Sequence, residues 1–82
     1  MLRTKRQSKS VCENNLRRAE YNMVLSFKLW SEFIDSAINY RMKGEKSKAA
    51  LSLNWCSIER NAYRFWKDTV NYWTVELNKH SI

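Results

Sequence analysis

Proline is absent from this chain of 82 residues, and glycine occurs once, at Gly44. Turns and hairpins draw on those two residues for fixed or left-handed backbone angles. A β-sandwich, a barrel or a glycine-lined nucleotide fold therefore has little to be built with. A chain without such punctuation can hold one conformation for long stretches, and the helix satisfies its own backbone hydrogen bonds as it grows. Hydrophobic residues are 44% of the chain and charged residues 28%, a balance that supports packing over disorder. The expectation is an all-α protein of one small domain.

Ser10 and Glu13 stand at capping-box spacing and mark the expected start of a first helix, over about 11–43. Its apolar stripe is Cys12, Leu16, Ala19, Met23, Phe27, Trp30, Ile34, Ala37 and Ile38. At ~100° per residue these positions lie within about 60° either side of one line. Arg41, Lys43 and Gly44 suit a helix C-terminus. A second helix is expected from Ser47 to about Lys79, with the stripe Leu51, Trp55, Ile58, Ala62, Trp66, Val70, Trp73 and Leu77. On this wheel Trp55, Trp66 and Trp73 point inward.

The connection Gly44–Ser47 is short, so the helices fold back as an antiparallel hairpin over residues 10–82. Two helices cannot finish a core. The second is apolar over a wide arc once Tyr63, Phe65 and Tyr72 are added. The hairpin is therefore expected to complete a four-helix bundle, by homodimerisation or by docking onto a protein partner. In this register Cys12 and Cys56 lie ~33 Å apart along the axis, too far for a disulfide. Both read as small buried hydrophobes.

The net charge is +7. Arg3, Lys5, Arg6 and Lys9 give +4 to a basic, flexible tail over residues 1–9, leaving +3 for the rest. Such a tail could touch phosphates or make a peripheral membrane contact, at ~1 kcal/mol per cation near an anionic surface. On the second helix Arg60, Arg64, Lys67 and Asn71 share a face and could track phosphates beside Tyr63. The plainer reading is a solvated helix face, diluted by Glu59, Asp68 and Glu76. Val11 to Asn22 is too polar for an export signal, and the longest apolar run, Met23-Val24-Leu25, falls far short of a membrane span. A cytoplasmic location is expected.

No constellation for catalysis or for a metal or cofactor is legible. His80 is the single histidine and stands near the end of the chain. The acids Glu13, Glu32, Asp68 and Glu76 have Arg17, Lys28, Arg64 and Lys79 at helical spacing, as ordinary surface pairs do. The sharper feature is an apolar ridge away from the main stripe of the first helix. Tyr21, Leu25 and Leu29 form it, with Phe33 and Tyr40 at its edge. Such a ridge marks a contact: a dimer seam, a partner surface or the inner face of a bundle.

Eight Asn and nine Ser, with abundant Lys and Tyr and no Pro, follow AT-rich coding. In size and character the chain resembles small accessory proteins of T-even-like bacteriophages, and among them the cytoplasmic lysis-inhibition (antiholin) type. The resemblance covers the chain in general style. Neither Cys12-Glu13-Asn14-Asn15 nor Trp55-Cys56-Ser57-Ile58 serves as a diagnostic motif, so no residue role is carried over. It implies a non-enzymatic protein that binds a phage or host protein and shifts its assembly. The alternative is a small basic nucleic-acid-binding protein.

Overall fold

The computed structural model describes residues 8–81. They form two unbroken helices, α1 (Lys9–Met42) and α2 (Lys46–Asn78), followed by a 3₁₀ turn at Lys79–Ser81. The helices pack along their length as an antiparallel hairpin. Lys9 belongs to α1, so the expected tail ends sooner. Arg3, Lys5 and Arg6 lie outside the described residues.

The caps correct the expected start. Ser8, not Ser10, is the N-cap, with an extended backbone at φ −65° and ψ 154°. Its hydroxyl accepts the Val11 N–H at 3.2 Å, and its carbonyl accepts the Cys12 N–H at 3.0 Å. Starting two residues earlier adds helical hydrogen bonds while a serine still serves as cap. The other end follows expectation. The Glu45 N–H reaches the Tyr40 carbonyl at 2.8 Å and the Gly44 N–H reaches that of Arg41 at 3.0 Å. Gly44 has φ +79°, which completes a Schellman closure that L side chains resist.

Ring contacts fix the register. Phe27 and Trp30 both lie against Tyr63, and Phe33 stacks on Trp55 at 6.2 Å. Facing residue numbers therefore add to about 90. On α1 the seam is Cys12, Leu16, Ala19, Met23, Ser26, Trp30, Phe33, Ala37 and Tyr40, every one buried or half-buried. On α2 it is Glu45, Ala49, Ser52, Cys56, Glu59, Tyr63, Trp66, Val70, Trp73, Leu77 and His80, again all buried or half-buried. Both runs alternate steps of three and four, the heptad rhythm of a left-handed coiled coil.

That rhythm overturns part of the expected stripes. Phe27, Ile34 and Ile38 on α1, and Leu51, Trp55 and Ile58 on α2, are exposed. Trp55 does not point inward and is 46% exposed, whereas Trp66 and Trp73 are half-buried on the seam. A line drawn at 3.6 residues per turn drifts by ~20° per heptad from a 3.5-residue seam. The two agree at the open end of the hairpin and part company towards the turn.

The fully buried positions of the seam are held by small side chains. The buried residues are Cys12, Ala19, Ala37 and Ala49 with Ser26 and Ser52, and none is large. Cys12 is buried as expected, while Cys56 is only half-buried, and both thiols are free. The chain measures 64 × 23 × 14 Å, a slab one helix thick.

Candidate functional site

Each helix carries its seam with a flank on either side, so the hairpin has two broad faces. On the front, next to Met23, Ala37, Ala49 and Tyr63, stand Val24, Phe27, Ile34, Ile38 and Leu53. On the back, next to Phe33 and Trp66, stand Leu25, Leu29, Leu51, Trp55, Ile58, Phe65 and Tyr72. Of these only Leu29 falls outside the exposed large apolar residues, and it is half-buried.

The front is concave and basic. One recess of about 100 Å³ is lined by Ile34, Ala37, Ile38, Arg41, Ala49 and Leu53. A second, of about 220 Å³, lies among Met23, Val24, Phe27 and Tyr63. Lys46 borders the turn end of the same face. By heptad position Arg60, Arg64 and Lys67 also belong to the front, and all three are exposed with no acid within 4 Å. Glu59, expected to dilute their field, turns half-buried into the seam.

The back is a ridge, and it takes up the predicted one. Tyr21 is 69% exposed on the outermost line of α1. Leu25 and Leu29 follow on the back, and Phe33 enters the seam against Trp55. The ridge thus winds from solvent to interior, carried by the right-handed drift of positions four apart. Tyr40, expected at its edge, lies on the seam with the Lys48 ammonium 5.8 Å above its ring.

On α2 the back holds a second heptad stripe that sequence reasoning missed as a unit. Leu51, Trp55, Ile58, Ala62, Phe65, Thr69 and Tyr72 alternate steps of four and three, with Lys48 and Glu76 continuing the pattern at its ends. Towards the turn this outer stripe is more apolar than the seam itself, where Ala49, Ser52, Cys56 and Glu59 sit. The signal lay in the sequence, because two parallel 3–4 patterns can be read on one helix.

Polar features are few. Of the expected surface pairs, Glu76–Lys79 closes at 2.8 Å, and Lys48 pairs with Glu45 at 3.1 Å. Glu13–Arg17, Glu32–Lys28 and Asp68–Arg64 stay open. The hydrogen bond and charge of Glu45 raise the Lys48 pKa above its ordinary 10.5, with Tyr40 adding to the shift. His80 turns its Nε2 into the end of the seam, where it is buried with no hydrogen-bond partner among the described residues. Among the described residues no group of three His, Cys, Asp or Glu could hold a metal ion, and no helix is long and apolar enough to cross a membrane.

The chain matches no known protein family, no curated protein and no solved structure.

Proposed function

We propose that the protein is a non-enzymatic binding module whose apolar faces dock helices of another protein and so modulate it. One observation carries the reading: the fully buried residues are all small, while large apolar side chains such as Ile34, Leu53, Trp55 and Phe65 stand exposed. Monomers seldom leave so much contiguous apolar surface wet, and such surface marks an interaction site. The front suits a target helix. Its recesses would take apolar anchors, and its basic margin would steer and orient a segment carrying acidic residues. The resemblance to phage lysis-inhibition proteins supports the same class of action, binding that shifts another protein's assembly. The reading has the protein act in the cytoplasm, with at most peripheral membrane contact.

The test is capture from producing cells at moderate salt, with half of each sample nuclease-treated. A discrete protein retained after nuclease and lost with Ile34→Glu or Leu53→Glu is the expected result. Retention unaffected by either substitution overturns the front as the docking face.

A second reading has its own observation, the exposed row of Arg60, Arg64 and Lys67, none of them ion-paired among the described residues. Such a row could contact nucleic-acid phosphates. Three phosphate contacts would give a log affinity that falls with log salt at a slope of about −3 for duplex DNA. Apolar docking would keep most of its strength. Recovery of nucleic acid, lost with Arg60→Gln and Arg64→Gln, would favour this reading.

A further inference from the structure

We infer that the back is a self-association surface, on which a second copy of this chain packs antiparallel along the outer stripe of α2. The inference rests on reading the apolar faces as docking surfaces, and it names the occupant of one of them.

The stripe is compatible with its own two-fold image. With the axis beside Ala62, Leu51 falls opposite Tyr72 of the second copy, and Ile58 opposite its Phe65. The small Ala62 lies where the helices cross most closely. The register of the hairpin sets Leu25 level with Phe65 and Leu29 level with Ala62. On α1 the same axis therefore passes beside Leu29, which meets Leu29 of the second copy to within about one residue's rise, while Leu25 falls level with Glu32 of the second copy. One symmetry operation serves both helices, as an isologous interface requires.

Charge selects the direction. In the antiparallel arrangement Lys48 comes within one position of Glu76 of the second copy. Parallel packing would set Lys48 against Lys48 and Glu76 against Glu76, and like charges brought together disfavour that pairing. Each chain carries +7, so a second copy must approach with its cations turned away. The back allows this, because the front carries Arg17, Arg41, Lys46, Arg60, Arg64 and Lys67 against Glu13 and Glu20, whereas the back mixes Arg18, Lys48 and Lys79 with Glu32 and Glu76.

The area is sufficient. From Leu51 to Tyr72 the stripe runs ~32 Å at 1.5 Å per residue, and the slab is 23 Å wide. That footprint is roughly 700 Å² per copy, or about 1,400 Å² in total, within the range of specific stable interfaces. The result is a four-helix bundle that covers the back and leaves both front faces open.

The test uses the purified full chain with no target present, so it stands apart from the capture experiment. Sedimentation equilibrium across the micromolar range should give a dimer. Ile58→Glu and Phe65→Lys should each weaken association by on the order of 100-fold, since each buries a charge against an apolar partner. Mixing the two variants should restore a dimer. In that heterodimer Glu at position 58 meets Lys at position 65, and the other contact stays Ile58 against Phe65. Restoration in the mixture supports the antiparallel register, whether the separate variants remain helical or melt. A monomeric wild type, variants that still dimerise, or a mixture that stays monomeric each overturns the inference. A monomeric wild type that still captures a protein through its front would leave the binding-module reading standing.

Discussion

Gly44 is the residue on which the reversal of the chain depends. A Cβ there meets nothing within 4 Å, so the cost of a side chain is purely that of the left-handed backbone at φ +79°. Gly44→Ala should destabilise the hairpin by about 1 kcal/mol, and Gly44→Asn by less, as read by urea melts. Ser8→Ala should cost about 1 kcal/mol through the lost cap, with Ser8→Asp neutral or better. Lys48 sets a pH limit of known sign. Its pKa is raised in the folded chain, so its pairing with Glu45 contributes below about 10.5 and is lost as pH rises further. The side chain is exposed, and melting between pH 6 and 9 should not register that pair. The caps show what sequence can and cannot say at this scale. Gly44 was legible because only glycine fits its angle, whereas Ser8 and Ser10 offer the same hydroxyl and only the packed helix chooses between them.

At the scale of the helices, the architecture was legible and half of the packing was not. Where the seam is built from large apolar residues, as at Leu16, Met23, Trp66, Trp73 and Leu77, hydrophobic periodicity finds it. Towards the turn the seam passes through Ser26, Ala49, Ser52 and Glu59, which no hydropathy pattern singles out. The larger Phe27, Ile34, Leu51, Trp55 and Ile58 draw the eye to the flanks. The heptad rhythm carried over from the open end determines which residues face inward. The candidate site is legible in the same partial way: the Tyr21–Leu25–Leu29 ridge is visible in the sequence, but the half of its partner stripe nearer the turn, Leu51 to Ala62, reads there as core. Substitutions separate the two stripes. Glu59→Leu should stabilise the hairpin by about 1 kcal/mol by placing apolar surface on the seam, and Trp66→Ala should cost about 3 kcal/mol. Both are measured by urea denaturation, with Ile58→Glu as background so that association does not contribute.

The whole molecule is far from a compact domain. Its radius of gyration is 18.3 Å, against about 12 Å for a globule of this length. Its accessible surface is 6573 Å², against roughly 5,200 Å² for a compact monomer of its mass. Salt separates the forces acting on that surface. Raising ionic strength screens the repulsion between two +7 chains and should tighten self-association, while any phosphate binding through Arg60, Arg64 and Lys67 should weaken. Sedimentation and filter binding over one salt series would show the two trends with opposite signs.

A slab 14 Å thick has no depth in which to isolate one face from the other. Tyr63 borders the front recess, its chain neighbour Ala62 belongs to the back stripe and its seam neighbour Trp66 lies beside that stripe, so ordering one surface stiffens the other. Dimerisation and target capture should then be positively cooperative, each meeting part of the other's entropic cost in advance. The Ile58→Glu chain, its front untouched, should hold the target less tightly than wild type.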